Sequence, residues 1–177
     1  MSSIDIQFWS MIGTWVASIG TVSAVITSLW FAYNQNRIKL RITVRHMQVV
    51  SRTEGNYPDH CVIKIVNLSN KPAKIESIGW RAGFWKNKVS FIQIFKLPGF
   101  DDLPKVLTEG EDATFAVPFH YKGNDEDWIV RFPKSVTKTS KFNLYSLKLW
   151  VHTAQGQTFS VKPDKGLIEQ LKKSLQS

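Results

Sequence analysis

Cysteine is nearly absent from this chain, which excludes two kinds of stabilising site. Cys61 is the one cysteine among 177 residues, so an intramolecular disulfide and a cysteine-rich metal cluster are both impossible. The count is compatible with a reducing compartment. The four histidines, His46, His60, His120 and His152, lack the spacing of metal ligands. The sequence therefore predicts no metal site.

Sequence motifs of catalysis are also missing. The chain contains no glycine-rich phosphate loop and no Gly-x-Ser-x-Gly elbow. Cys61 has no motif around it, and we expect it to point into the core as a small apolar residue. Asp125, Glu126 and Asp127 lie close to His120, but they lack the glycine and the ligand spacing of a calcium loop. We expect a solvated helix start there and predict no cofactor and no enzymatic activity, with an enzyme site near His120 as an alternative.

Basic residues are absent from the first 36 positions and abundant afterwards. All 23 lysines and arginines, and every acidic residue except Asp5, lie from Arg37 onward, which gives that part a net charge of +10. A domain this basic favours anionic partners, either nucleic acid or the negative cytoplasmic face of a membrane. Charge that serves only solubility is the alternative interpretation.

An uncharged stretch of 31 residues runs from Ile6 to Asn36. A helix needs about 20 residues to span a bilayer. Trp9 and Trp30 are 21 positions apart, about 31 Å on a helix, which matches the hydrocarbon thickness of about 30 Å. A secretory signal peptide would open with basic residues and have a shorter apolar core, and a buried helix would need a larger surrounding protein. The stretch therefore predicts a single transmembrane helix in the lipid bilayer.

The residues on either side of the stretch predict its orientation. The N-terminal side carries Asp5, whereas basic residues crowd the C-terminal side. The positive-inside rule then places the C-terminal part in the cytoplasm and the short N-terminus outside a cell inner membrane. The predicted membrane-interface residues are Trp9, Trp30, Tyr33, Arg37, Lys39, Arg41 and Arg45.

Small residues recur along the predicted span at alternating spacings of four and three. They are Gly13, Ala17, Gly20, Ala24 and Thr27. On a helix they fall along one stripe, and small side chains let two membrane helices approach closely. Because such residues are common in membrane helices, two interpretations stay open. One is ordinary composition, and the other is helix packing through Gly13, Ala17, Gly20 and Ala24, with a homo-oligomer or another membrane protein as the product.

The chain after residue 36 consists of short strand-like segments separated by turn residues. Apolar and basic residues alternate from Ile38 to Arg45, which is typical of a half-exposed strand, and the change of phase at Met47 predicts a bulge near His46. Further strands are predicted at 61–67, 73–80, 89–95, 105–107, 113–119, 143–151 and 157–161. Seven or eight short strands predict an immunoglobulin-like β-sandwich, with an open barrel as the alternative.

Two further helices are predicted. The segment 124–132 has Asn124 as a candidate N-cap and should end before Pro133. The segment 166–177 is amphipathic, and we expect it to pack on the sandwich; a helix lying on the membrane surface is the alternative. The predicted fold is mainly β. It comprises an N-terminal tail and transmembrane helix (1–36), a cytoplasmic β-sandwich (37–165) and a C-terminal amphipathic helix or tail (166–177).

Aromatic and basic residues are interleaved between positions 79 and 91. The candidate partner-binding residues are Trp80, Arg81, Phe84, Trp85, Lys86 and Lys88. Basic surfaces with stacking rings bind single-stranded nucleic acid. A loop of this composition also suits lipid head groups or a protein partner. The basic residues near the span already have a topogenic purpose, so nucleic acid ranks below a protein partner.

The segment "VNLSNKPAKIESIGW", followed by "LTEGEDATFAVPF", resembles immunoglobulin-like bacterial modules. The resemblance transfers no functional residue. The sequence predicts a single-pass membrane-anchored interaction or sensing protein, with a layout that suits a bacterial or phage accessory or defence protein. A membrane-tethered nucleic-acid-binding effector is the first alternative, and the enzyme near His120 is the second.

Overall fold

The computed structural model describes residues 3–35, 37–49, 58–83, 88–121, 127–138 and 140–176. It divides into two compact units, Met1–Arg37 and Ile38–Ser177. The described residues include about as many in helices as in strands. The mainly-β prediction therefore overstates the strand content. Helix α1 is long, a second helix extends beyond its predicted end at 132, and a 3-10 helix replaces the first part of the strand predicted at 143–151. The fold combines α-helices with antiparallel sheets.

The first unit is a single helix, α1, from Ser3 to Gln35. Within it, the segment Gln7–Asn34 is long and apolar enough to cross a membrane. Its apolar side chains are distributed round the helix rather than gathered in one stripe, a pattern of helices surrounded by apolar material. Four hydroxyls along α1, those of Thr14, Ser18, Thr21 and Thr27, donate to backbone carbonyls one turn earlier. These internal bonds reduce the cost of placing a hydroxyl in an apolar medium.

Sheet one contains β1 (Leu40–Gln48), β2 (Asp59–Asn67) and β6 (Asp112–Pro118) in the order β1-β2-β6. The antiparallel register of β1 with β2 runs without a shift from the Leu40–Asn67 pair to the Gln48–Asp59 pair. The predicted bulge near His46 is therefore wrong. His46 takes the inward position because its ring stacks on Phe119 and lies 2.7 Å from an Asp59 carboxylate oxygen. Met47 consequently points outward.

Sheet two is built around β3 (Ala73–Ala82), with β7 (Lys148–Thr153) and then β8 (Thr158–Val161) on one edge. The other edge of β3 is shared by β4 (Val89–Ile92) and β5 (Lys105–Leu107). The strand predicted at 89–95 therefore ends early. The strand predicted at 143–151 begins only at Lys148, because a 3-10 helix, Lys141–Ser146, precedes it. The Ser140 side chain caps that helix by accepting from the N–H of Phe142.

Helix α2 runs from Trp128 to Thr137 and contains Pro133. The prediction of a helix that ends before Pro133 is therefore wrong, and the predicted N-cap Asn124 lies outside the described residues. A proline inside a helix removes one backbone hydrogen bond. Here the helix continues because Phe132 and Val136 fall on the same buried face as Trp128, and their burial favours the additional turn.

Helix α3 runs from Lys165 to Lys173 and begins at Asp164, whose side chain accepts from the N–H of Lys165. Leu167 and Leu171 are fully buried, since they lie four residues apart on one face of the helix. Leu167 and Leu171 therefore pack α3 on the domain, as predicted, whereas Leu175 lies beyond the end of α3 and is exposed.

The two sheets and helices α2 and α3 contribute to one hydrophobic core. Trp80 and Ile78 of sheet two and Phe115 and Ile63 of sheet one are all fully buried. Cys61 is also buried in this core, as predicted, and burial raises the pKa of its thiol above the usual range. A buried neutral thiol packs as a small hydrophobe and is a poor nucleophile.

Candidate functional site

The predicted partner-binding residues are divided between the core and the surface. Trp80 is completely buried, its ring contacts Trp128 and Phe132, and its Nε1 donates to Gln93 Oε1 at 3.3 Å. A side chain without exposed area has nothing to offer a partner, so Trp80 stabilises the domain. Arg81 and Lys88 are exposed. Phe84, Trp85 and Lys86 lie outside the described residues.

The predicted membrane-interface residues lie near both ends of α1, directly after it and along β1. Trp9, Trp30 and Tyr33 are all exposed on α1. The Arg37 guanidinium carbon stands 5.1 Å from the centre of the Tyr33 ring, a cation–π arrangement common where an aromatic belt meets basic residues. Lys39, Arg41 and Arg45 follow on or just before β1, and all three are exposed. Gly13, Ala17, Gly20 and Ala24 lie within the continuous helix α1, so their spacing places them along one side.

His120 and Asp127 form a pair beside the start of α2. His120 Nδ1 lies 2.6 Å from Asp127 Oδ2, and the N–H of Tyr121 donates to Asp127 Oδ1. The contact with His120 holds the pKa of the Asp127 carboxyl below its usual range. Asp125 and Glu126, which belong to the same predicted cluster, lie outside the described residues. The pair joins the residues after β6 to the residue before α2, and the described residues contain no cluster of three metal-ligating side chains.

A groove of about 520 Å³ opens between the free edges of the two sheets. One wall is formed by residues 91–97, in β4 and just after it, and the other by Ala116, Val117 and Pro118 of β6. Helix α2 closes the back with Trp128, Arg131, Phe132 and Ser135. We call this feature the edge groove. Most sites that bind small ligands or peptide side chains fall in this range of volume.

The base of the edge groove is aromatic and already packed. The rings of Trp128 and Phe132 are stacked with their centres 4.6 Å apart, and Phe91 meets Phe132 edge-on. Gln93 Oε1 accepts hydrogen bonds from the indole nitrogens of both Trp80 and Trp128, each at 3.3 Å. These contacts fix the orientation of the rings, so the apolar surface exists without a ligand.

The β6 wall presents backbone groups that none of the described strands uses. The N–H of Thr114 donates to Asp101 Oδ2 at 2.8 Å, and its carbonyl accepts from the N–H of Asp101 at 2.9 Å. The backbone of Thr114 therefore faces away from β2. Because hydrogen-bonding direction along a strand repeats every two residues, the N–H and C=O of Ala116 also face away from β2, towards the edge groove. Pro118, two residues further, has no N–H, as is usual on a free edge.

The β4 wall has the same property. The N–H of Gln93 donates to the carbonyl of Ile78 on β3 at 2.9 Å, which directs the backbone of Gln93 towards β3. By the same two-residue period, the backbone of Ile92 points away from β3. The edge groove is therefore bounded by two free strand edges.

Two basic residues line the edge groove. Lys96 follows β4, Arg131 belongs to α2, and both side chains are exposed. No acidic side chain lines the groove in the part of the chain that the structure describes. This site was not predicted from the sequence, because β4 and β6 are brought together only by the strand order. The available signals were the mostly apolar segment 91–95 and the two cations, and neither has a recognisable spacing.

Comparisons with known proteins give only distant structural likenesses. No family model and no curated protein matches the chain. One solved structure, an X-ray structure of a structural-genomics target, has 12% sequence identity and a TM-score of 0.30, covering 73% of this chain and 84% of that chain. Another, a Bordetella pertussis protein provisionally named ApaA, has 13% identity and a TM-score of 0.28, covering 72% of this chain and 89% of that chain. Likenesses at this level carry no argument about function.

Proposed function

We propose that this protein is a single-pass inner-membrane protein whose basic cytoplasmic domain binds a protein partner. The observation that carries the proposal is the uncharged, apolar segment Gln7–Asn34 of helix α1, which a basic folded domain follows in the chain. Trp9 and Trp30 stand about one bilayer thickness apart on α1. Arg37, Lys39, Arg41 and Arg45 support an orientation with the N-terminus outside.

The second unit, in this proposal, is an immunoglobulin-like β-sandwich. Three strands in sheet one and five in sheet two, all pairing antiparallel, share one core, as the sheets of such sandwiches do. Sandwiches of this kind expose loops and strand edges to partners. By analogy of layout, the protein is an accessory or defence protein of a bacterium or phage. It senses or transmits through contacts rather than chemistry, and α1 is a candidate surface for oligomerisation.

A protein partner is favoured over nucleic acid by the burial of Trp80, which belongs to the predicted aromatic and basic segment. Trp80 is completely buried, and its ring contacts Trp128 and Phe132. Proteins that bind single-stranded nucleic acid instead expose such rings for base stacking. The net charge of +10 alone would attract an acidic protein surface equally well.

A reporter fusion tests the membrane topology. Green fluorescent protein fused after Ser177 should fluoresce in a bacterial membrane fraction, whereas alkaline phosphatase fused at the same point should be inactive, because it folds only outside the cytoplasm. As a control, Ser2→Lys and Ser3→Lys combined with Arg37→Gln, Lys39→Gln, Arg41→Gln and Arg45→Gln should invert the two signals. An active phosphatase in the unaltered chain would refute the orientation.

A further inference from the structure

We infer that the edge groove binds an extended segment of a partner protein, apolar in its middle and acidic at its ends, which adds to the free edge of β6 as a further strand. The inference rests on the proposed function, since it specifies which surface of the domain meets a protein partner and what chemistry that partner has.

The backbone of Ala116 suits an occupant that has both a donor and an acceptor. Ala116 is almost fully buried, and the two-residue period from Thr114 directs its N–H and C=O away from β2, towards the edge groove. Buried backbone groups are nearly always paired in folded proteins. An extended peptide supplies one acceptor and one donor at the correct spacing, as in other cases of strand addition, whereas an acyl chain supplies neither.

The aromatic base favours a peptide whose middle is apolar. In an extended segment, alternate side chains point to the same face, so a peptide paired with Ala116 would direct every second side chain towards Trp128, Phe132 and Phe91. These rings are held in place by their mutual stacking and by Gln93. Because the surface is preformed, little of the binding free energy is lost in ordering it.

The charge around the groove favours acidic ends. Lys96 of the β4 wall and Arg131 of α2 both line the groove, with no ion pair to either within the described ranges. Acidic residues flanking the apolar middle would therefore meet these two cations, and the basic domain would increase the association rate. A second copy of this chain fits poorly, because it would bring its own Lys96 and Arg131 against the same two cations.

Binding can be measured with the full chain in detergent micelles and one defined probe. The probe is the fluorescein-labelled peptide Glu-Glu-Val-Thr-Ile-Thr-Val-Glu-Glu, and the measurement is fluorescence anisotropy. We expect saturable binding that Arg131→Glu weakens about tenfold or more, because a charge reversal replaces an attraction with a repulsion. Arg41→Glu, which reverses an exposed charge on β1 and changes the net charge equally, is the matched control and should change the affinity less than about twofold.

Two further arms test the strand pairing itself. A peptide of the same sequence, N-methylated at the central isoleucine and the two threonines, cannot form the backbone bonds, and we expect it to bind at least about tenfold more weakly. Hydrogen exchange followed by NMR should show the Ala116 amide becoming protected when the unmodified peptide is added. The Phe115 amide, which faces β2, should be protected with or without peptide.

Several results would overturn the inference. These are no saturable binding of the probe, equal binding of the methylated peptide, equal affinities of the two charge-reversal variants, and displacement of the probe by an oligothymidine of equal charge. If the chain formed a dimer that Arg131→Glu dissociates, and the probe did not bind, the edge groove would be assigned to a second copy.

Failure of the proposed function would be seen separately, since an inverted reporter result would leave probe binding in micelles intact. In-cell crosslinks that survive Arg131→Glu would refute the groove and leave the proposed function standing.

Discussion

At the scale of single residues, Gly79 occupies a place that no larger side chain fits. A Cβ built on Gly79 would overlap the carbonyl oxygen of Phe91 and would lie 2.5 Å from ring carbon Cζ2 of Trp150. The Trp150 indole therefore lies against the glycine on the outer face of sheet two, where the two residues are paired across β3 and β7. The sequence alone offers no signal for this contact, because it depends on strand register.

We predict that Gly79→Ala lowers the free energy of unfolding by about 1–3 kcal/mol, the usual cost of overpacking a tight contact. Gly166→Ala is the matched control. An added Cβ there meets no atom within 4 Å, and alanine favours the helix α3, so the free energy of unfolding should stay level or rise by up to about 1 kcal/mol. Urea unfolding followed by near-ultraviolet circular dichroism measures both. Equal stabilities of the two variants would contradict the packing described for Gly79.

The Asp101 carboxyl makes the folding stability of the domain depend on pH in the acidic range. Its carboxylate accepts hydrogen bonds from Lys105 and from the N–H of Thr114, and these hold its pKa below the usual 3.8. A carboxyl with a lower pKa in the folded state contributes stability above its unfolded pKa and loses it as the pH falls through the folded pKa. Glu111 and Asp127 also have lowered pKa values, so all three carboxyls make the folded state less stable at acidic pH than at neutral pH.

We predict that Asp101→Asn is less stable than the unaltered protein at pH 7 and that the difference shrinks below pH 3.8. Thermal unfolding between pH 3 and pH 7 measures the trend. Asp102→Asn, at the exposed neighbouring residue, serves as the control and should run parallel to the unaltered protein. A difference for Asp101→Asn that stays constant across this range would show that the carboxylate charge does not contribute.

At the scale of elements, periodicity predicted those that carry one clear pattern. Helix α1 follows from an uninterrupted apolar run, and α3 follows from leucines at helical spacing. The sequence-based prediction failed where tertiary contacts determine the local structure. The apparent phase change at Met47 has no structural counterpart, because an imidazole with a carboxylate partner fills an inward position that an apolar residue would normally take. Helix α2 continues through Pro133 because its apolar face is buried.

Helix α1 carries a prediction of its own. Gly13→Leu with Gly20→Leu should reduce the oligomer size in detergent, because larger side chains on the small-residue stripe keep two helices apart. Val22→Leu with Leu29→Val changes the opposite side of the helix and should leave the size unaltered. Light scattering coupled to size-exclusion chromatography makes the measurement. An oligomer that is the same in both double variants would remove helix packing through this stripe.

At the scale of the whole molecule, the sequence indicates two units because charge and hydropathy change abruptly near Arg37, and the structure divides at the same point. The edge groove could not be predicted at this scale. Its two walls, β4 and β6, are separated in the chain by the segment from Gln93 to Glu111 and belong to different sheets. Only the strand order, which local patterns do not encode, brings them together.

The overall charge leads to a prediction about nucleic acids. The full chain should bind a 30-nucleotide DNA or RNA only at low ionic strength, and the binding should be lost by about 0.2 M salt, because non-specific phosphate contacts weaken steeply with salt. Electrophoretic mobility shifts over a salt titration measure this. Retention of tight binding at 0.2 M would favour the alternative of a nucleic-acid-binding effector.

The register of sheet one also determines how the domain would respond to tension. The chain enters β1 at Leu40, and β1 is joined to β2 by nine residue pairs in continuous register, while β6 pairs with the far side of β2. A pull on Leu40 opposed by a partner held at Ala116 would act along the strands. All the cross-strand hydrogen bonds would then be loaded together in shear instead of being peeled one at a time. In the proposed arrangement, sheet one would therefore form a stiff mechanical link between the membrane helix and a partner bound at the edge groove.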